Sequence, residues 1–319
     1  MIKNMSIDIN ADVGEGVGNE SRLLPFVSSC NIACGGHAGD KSTMREVVKL
    51  AITNGVKIGA HPSFPDKKNF GRKAMQMSFS ALYTSINDQI QTLQDIAREE
   101  QVLLHHVKLH GALYNLAASD KKYAEVIVEV MKRFHQPLKL YVPYGSVIAD
   151  IAINEGVLIT YEAFADRNYN QDLSLVSREE SNAIISDTEE MYNHVLNMII
   201  NHKVKTLDGV EVYIKASTFC LHGDNPEAIK LVSELYKKLT LLGIQIQWAL
   251  TRYNLKFRAY GERSILIEWP QEINNNILKS ILNFKEVLKK HYIKEKVYIK
   301  YAYNSILVSY NHTIDNIYD

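Results

Sequence analysis

Cysteine is scarce in this chain: Cys30, Cys34 and Cys220 are its only three among 319 residues. An odd and small number cannot build a disulfide framework, so a reducing compartment suits the sequence better. The opening MIKNMSIDINADVGEG has no apolar signal core, and no run approaches the roughly 18 apolar residues of a membrane span. Net charge is missing too. Thirty-six Lys plus Arg balance 36 Asp plus Glu, which removes any overall electrostatic drive toward nucleic acid or an anionic membrane. Neither a Walker-type loop nor a G-x-G-x-x-G fingerprint occurs. The stretch GGHAGDKS (35–42) comes nearest, but Asp40 stands before Lys41 where a phosphate loop needs Gly, and its carboxylate would face the phosphates. These absences point to a soluble, cytoplasmic protein with no nucleic acid and no membrane among its partners. What is present is core material: 46% hydrophobic and 23% charged residues, over a length that suits about two domains.

From residue 5 to about 250, short β-rich runs alternate with helical patterns. The strand candidates are 6–10, 31–35, 56–60, 103–109, 138–142, 157–162, 210–218 (VEVYIKAST) and 244–250. Helical periodicity marks Thr43–Asn54, Phe79–Glu100, Tyr123–Phe134, Thr188–Asn201 and Glu227–Leu242. Such alternation predicts βαβ units and a parallel sheet, and the count suits an α/β fold with an irregular seven- or eight-stranded (β/α) barrel; an open doubly wound sheet is the alternative. After Thr251 the pattern becomes ββαββ: strands 255–260 and 264–269, a helix over 274–292, and strands 297–302 and 306–310. Residues 252–319 hold 11 Lys/Arg and 7 Asp/Glu, leaving 25 and 29 before them, a charge of +4 beside −4. A boundary near 251 follows: a barrel domain over 1–251 and a small α+β, ferredoxin-like domain over 252–319. About 68 residues fold marginally alone, so this part is expected to dock on something.

Polar side chains follow nearly every strand candidate: Asn10 and Asp12; Asn31, His37 and Asp40; His61 and Asp66; Lys108 and His110; Glu162, Asp166 and Arg167; His222 and Asp224. In a parallel barrel all strand C-termini open on one face, so these groups would converge on one cleft. A single histidine at a strand end is more often structural than functional; four of them (His37, His61, His110, His222) at equivalent ends favour a site. Asp224 could cap a helix starting near Pro226 or face the cleft, and Asp40 has the same two readings. His105 and His106 face opposite sides of their strand and read as core or supporting residues. His135, His194, His202, His291 and His312 read as solvated. The three cysteines lie within strands and read as buried inert thiols. Glycines in DVGEGVG and CGGHAGD let backbone N–H groups approach an oxyanion, or are merely tight turns.

The blocks DINADVGEG, SSCNIACGGHAGDKSTM, GAHPSFPD with FGRK, HVKLHGALYN, EAFADRNY, LVSR and CLHGDNPEA, in this order over about 5–250, resemble the LamB/YcsF family, which supplies the first component (A) of prokaryotic ATP-dependent 5-oxoprolinase. KFRAYGERSILIEW (256–269) resembles the opening of the second component (B), the KipI-like family, so the chain looks like an A component joined to the N-terminal domain of a B component. Lys73 stands where the family has a second Arg, Leu109 where it has Pro, Gly36 where it has an apolar residue, and Glu262 where the B component has Asp. None of these removes a polar site residue. The resemblance implies opening of the 5-oxo-L-proline lactam to L-glutamate with ATP converted to ADP and phosphate. Phosphorylation of the lactam oxygen activates a poor electrophile, which calls for cations at the phosphate and a base for water. Asp12, His37, His61, Lys108, His110, Glu162 and Asp166 are the catalytic candidates; Asn10, Asn31, Arg72, Arg167, His222 and Asp224 are candidates for binding substrate and phosphate. ATP is the implied co-substrate. A divalent metal is a further candidate, with His37, His61 and Asp12 as its ligands. The 5-oxoprolinase B and C components (KipI- and KipA-like) are the implied partners, alongside homo-oligomer formation. The rival readings are a metal-dependent amidase or deacetylase on a related barrel, and a regulatory docking protein of the KipI type.

Overall fold

The run SIDINADV shows how the barrel is specified. In the computed structural model it forms β1 (Ser6–Val13). Its period-two alternation sends Ile7, Ile9, Ala11 and Val13 into the apolar core and turns Asp8, Asn10 and Asp12 to the other face. The structure describes residues 5–134, 138–225, 227–246, 255–271, 275–288 and 298–310. β1 is followed by β2 (Ser29–Ala33), β3 (Lys57–His61), β4 (His106–Lys108), β5 (Lys139–Pro143) and β6 (Ile159–Phe164), then β7 (Lys203–Lys205), β8 (Glu211–Tyr213), β9 (Thr218–Leu221) and β10 (Gln245–Ile246). β1 to β6 pair in sequence, all parallel, and β9 pairs with both β6 and β1. That closes a seven-stranded parallel barrel. β10 adds parallel to β1 beyond the closure.

The helices between strands carry their own start signals. α1 (Glu20–Leu23) is a single turn. α2 (Lys41–Asn54) is capped by Asp40, whose carboxylate accepts from Thr43 N–H, and it stops at Gly55 in the left-handed region. Asp40 is therefore a helix cap, occupying the N-terminus where a phosphate loop would hold its anion. α3 (Phe79–Glu99) buries Leu82, Ile86, Ile90, Leu93 and Ala97 along one face, at the three- and four-residue spacing of a helix packed on a sheet. α4 (Gly111–Ser119), α5 (Lys121–Lys132), α6 (Val147–Asn154), α7 (Thr188–Ile200) and α8 (Ala228–Leu241) complete the layer. The expected strand 210–218 is two elements. β8 pairs antiparallel with β7 as an exposed hairpin, and the barrel strand begins at Thr218. Both pieces are rich in β-branched and aromatic residues, so the run reads as continuous.

The inside of this barrel is polar where many are filled by Val, Ile and Leu. Asp8 accepts hydrogen bonds from Ser28 (3.0 Å), Ser29 (2.5 Å), Thr218 (2.6 Å) and Lys57 (3.1 Å) near the strand N-termini. One layer up, Asn10 donates to Thr218 (2.7 Å) and accepts from Asn31 (2.7 Å), while Asn31 accepts from His106 Nε2 (2.7 Å). The His106 ring stacks on Tyr141 at 3.9 Å. Space for it comes from Gly59: a Cβ there would lie 2.1 Å from His106 Nε2. Gly59→Ala must displace a fully buried ring that is held on both sides, and should lower stability by about 1–3 kcal/mol. A fall in the urea midpoint at unchanged m-value checks it.

Contacts divide the chain into Met1–Ala249 and Leu250–Asp319. The second unit comprises β11 (Lys256–Ala259), β12 (Ser264–Glu268), α9 (Asn275–Val287), β13 (Tyr298–Ala302) and β14 (Ser305–Ser309), a small α+β fold. Its sheet is antiparallel in the order β11-β12-β14-β13. Its own core gathers Ile267, Trp269, Ile277, Ile281, Ile306 and Val308, and Trp269 Nε1 donates to Ser280 at 3.0 Å. The expected boundary at 251, Pro226, the end of the helix expected to 292, and His135, His291 and His312 lie outside the described residues. Among the described residues no helix is long and apolar enough to cross a membrane.

Candidate active site at the strand C-termini

Lys108, the last residue of β4, is 2% exposed and stands between two carboxylates. Its Nζ donates to Asp12 Oδ1 (2.9 Å) and Cys220 Sγ (2.8 Å) and lies 3.4 Å from Glu162 Oε1. Burial works against the ammonium, but the charges of Asp12 and Glu162 outweigh it and hold its pKa well above the ordinary lysine value. Asp12 shows the mirror image: burial would raise it, and His61 and Lys108 pull it well below the usual carboxylate range. Glu162 is pushed up, first by burial and then against the pull of Lys108; it accepts from Tyr114 OH (2.9 Å) and Asn10 Nδ2 (2.9 Å). The site thus holds one firm ion pair and one reluctant carboxylate. Burial pushes all three cysteine thiols up, Cys34 to about 12, so none is poised as a nucleophile.

Beside Asp12 three imidazoles pack together. His37 stacks on His110 at 3.7 Å, and His61 stands edge-on to both. Each ring has one nitrogen bonded outward. His61 Nδ1–H donates to Lys108 O (2.8 Å), His110 Nε2–H to Phe70 O (2.9 Å), and His37 Nδ1–H to Ser63 Oγ (3.0 Å), whose hydroxyl donates onward to Phe64 O (2.8 Å). Burial lowers the pKa of His37 and, further, of His110, which favours neutral rings. Gly36 makes room here, since a Cβ would lie 2.5 Å from Ser63 Oγ. Asp12 Oδ2 lies 3.4 Å from His61 Nε2, and Glu15 Oε1 lies 2.9 Å from His37 Nε2. The four groups whose donor atoms all fall within 4.8 Å of one another are Glu15, His37, His61 and His110.

The fourth histidine stands apart. His222 Nδ1 sits 3.0 Å from both oxygens of Asp166, and its backbone N–H donates to the same carboxylate. Its ring stacks on Phe164, over which the Lys108 ammonium also lies at 5.1 Å. A cleft of about 510 Å³ is lined by Asp12, His61, Lys108, His110, Arg72 and His222, among others. A second cavity of about 580 Å³ shares Tyr114 and Phe164 with it and reaches Glu162.

Several expected site residues do something else. Asn10 and Asn31 are fully buried one layer below the mouth and outside the cleft lining, where they hold Glu162 and Asp12. Arg167 borders the cleft, but its guanidinium donates to Ala183 O (3.2 Å) and Val176 O (2.5 Å), clamping the loop that follows β6. Asp224 pairs with Arg72 (2.5 Å), and α8 begins at Ala228 without a side-chain cap, so Asp224 caps no helix. Asp66 braces its own turn through Asn69. His194, expected in solvent, is half-buried and stacks on Tyr169, with its pKa lowered to about 4 by burial. His202 is exposed, as expected. Cys34 falls just beyond β2. Glu15 and Tyr114 are site residues that the sequence reading does not single out, although both lie in the blocks DVGEG and HGALYN beside residues that it does.

A closed parallel barrel whose strand C-termini converge on a buried ion pair, a histidine cluster and an acid–imidazole pair has the arrangement in which (β/α)-barrel enzymes carry their active sites. Residues 7–254 match the LamB/YcsF family, and the chain belongs to that family. Residues 255–317 match the carboxyltransferase domain, subdomain C and D. The chain is 41% identical over 248 residues to the A component of the 5-oxoprolinase of Staphylococcus haemolyticus, covering 76% of this chain and 99% of that protein. It is 42% identical over 247 residues to the same component from Staphylococcus carnosus, covering 76% and 98%. The crystal structure of the lactam utilization protein from Thermus thermophilus superposes with a TM-score of 0.72 at 37% identity, over 76% of this chain and all of that one. The barrel is therefore similar to whole components of a 5-oxoprolinase system, and residues 255–317 lie beyond them.

Proposed function

We propose that this chain opens the lactam of 5-oxo-L-proline to L-glutamate, coupled to conversion of ATP to ADP and phosphate, as one component of a multi-subunit 5-oxoprolinase. The observation that carries the reading is identity of 41% extending over 99% of a 5-oxoprolinase A component, with the charged mouth lying inside residues 7–254, which match the LamB/YcsF family. The chemistry fits the residue types. Attack of the lactam oxygen on the γ-phosphorus of ATP releases ADP and leaves an O-phosphorylated imidate. Water then adds to the ring carbon, the C–N bond breaks as nitrogen takes a proton, and a glutamyl phosphate results; a second water releases phosphate and glutamate. Lys108, fixed by Asp12, supplies preorganised positive charge for the phosphoryl group as it passes to the lactam oxygen. Arg72 and Lys73 on the cleft wall suit the phosphate. The Asp166–His222 pair suits proton transfer with water, because the carboxylate fixes the Nδ1–H tautomer and leaves Nε2 as a base.

Residues 252–319 we read as the N-terminal part of a KipI-like B component, with the remainder of B and the whole of C supplied by partner chains. A second reading, a metal-dependent amidase that opens a small lactam without ATP, is favoured by the cluster of three histidines and Glu15. Glutamate and ADP release from 5-oxoproline, with and without separately expressed B and C components, separates them. Release that requires both ATP and the partners is the expected result. ATP-independent release by this chain alone, abolished by chelator, would establish the amidase instead. No release under any condition would remove both.

A further inference from the structure

The geometry points to a divalent transition-metal ion, of the zinc class in its ligand preference, held by Glu15 Oε1, His37 Nε2, His61 Nε2 and His110 Nδ1. His61 Nδ1 and His110 Nε2 each face a backbone carbonyl, which can only accept, so these nitrogens carry the N–H. Ser63 spends its own proton on Phe64 O, so His37 Nδ1 must donate to it. That leaves His61 Nε2, His110 Nδ1 and His37 Nε2 as the ring nitrogens not committed to an outward bond. They are aimed at one another: His61 Nε2 lies 3.0 Å from His110 Nδ1, and His37 Nε2 lies 2.9 Å from a Glu15 carboxylate oxygen. His110 Nδ1 and His61 Nε2 lie 3.5 Å and 4.0 Å from the same oxygen.

Three ring nitrogens and a carboxylate oxygen, with each ring's other nitrogen bonded outward, converge as the ligands of one cation do. Bonds of about 2.0–2.1 Å to a tetrahedral ion place its ligands about 3.3 Å apart; four of the six pairs lie 2.9–4.0 Å apart, around that value, and all six fall within 4.8 Å. Three imidazoles and one carboxylate are the donor set of zinc, cobalt, nickel or ferrous iron, and they supply too few oxygens for calcium or magnesium. The outward bonds to Ser63, Lys108 O and Phe70 O are the supporting shell that such ligands need in order to keep ring orientation and tautomer. The ligands come from the loops after β1 and β2, the end of β3 and the start of α4, so the ion would tie four segments of the mouth together. The inference stands on this geometry and not on the lactam reading, and its test reads binding without turnover.

The test is titration of the metal-free full chain with Zn²⁺ by calorimetry, and with Co²⁺ by visible absorption. One ion per chain is expected, with the intense ligand-field bands of a four- or five-coordinate nitrogen-rich cobalt site. His37→Ala should weaken affinity at least 100-fold. Ser63→Ala, which touches no ion, should weaken it about 10- to 100-fold. Circular dichroism of each variant confirms the fold. Substoichiometric binding, or binding that both variants leave unchanged, overturns the assignment and leaves a shared proton as the group between the rings.

Discussion

Lys108→Met is expected to abolish lactam opening and to cost the barrel about 3–5 kcal/mol, the penalty of removing one partner from a buried ion pair. Methionine fills nearly the same volume, so the loss is one of charge. Asp12 and Glu162, both almost fully buried, would then lack the ammonium lying 2.9 Å and 3.4 Å from them. One carboxyl would have to take up a proton, and Glu162, already pushed up by burial, is the one placed to do so. Activity should fall at least 10²–10³-fold, the range for losing one preorganised charge-stabilising group, here at the transferring phosphoryl. Urea unfolding and glutamate release measured on the same preparation separate the two effects. The double variant Lys108→Met with Asp12→Asn removes both charges; it should regain part of the stability and none of the activity. Activity within tenfold of wild type in the single variant would take Lys108 out of the chemistry.

Much of this architecture was legible in the sequence because two periodicities carry it. Alternation in SIDIN and the helical spacing of 79–99 reflect burial on one face, and burial drives local structure. The site was legible for a topological reason: parallel strands point the same way, so residues that follow them converge whatever their separation in the chain. Depth inside the barrel was not legible. Asn10 and Asp12 share a face two residues apart, and only closure puts the first in a supporting layer and the second at the mouth. Glu15 sits in a glycine loop whose direction depends on left-handed turns at Gly14 and Gly16, so its approach to His37 had no linear signal. Asp40 and Asp224 precede helices with similar polarity. Their different fates rest on Thr43 N–H being within reach of one and Arg72 of the other. The partnership of His222 with Asp166, 56 positions away, came from the pairing of β6 with β9.

His222→Gln should lower kcat about 10²–10⁴-fold, the contribution typical of a positioned general base, with little change in KM. Glutamine retains a donor for Asp166 but offers no basic nitrogen. Asp166→Asn should lower kcat comparably for another reason. Burial alone would raise the Asp166 carboxyl, but the charge and hydrogen bonds of His222 and its backbone N–H hold it below the ordinary carboxylate value. It therefore remains an acceptor and fixes Nδ1–H, whereas an amide could donate to Nδ1 and turn the tautomer round. A structural role for the pair would lower stability with kcat intact, so two readouts are needed. The first is kcat, which should fall in His222→Gln while the urea midpoint stays near that of the wild type. The second is stability, where the Asp166 contribution should vary with pH only in acid: a carboxyl whose folded pKa is depressed stabilises fully above its unfolded value of about 3.9 and loses that contribution as pH falls through the folded value. Asp166→Asn should flatten that acid limb. If His222→Gln keeps kcat within tenfold of wild type, the proton passes through another group, and Glu162, beneath Tyr114, becomes the next base to replace.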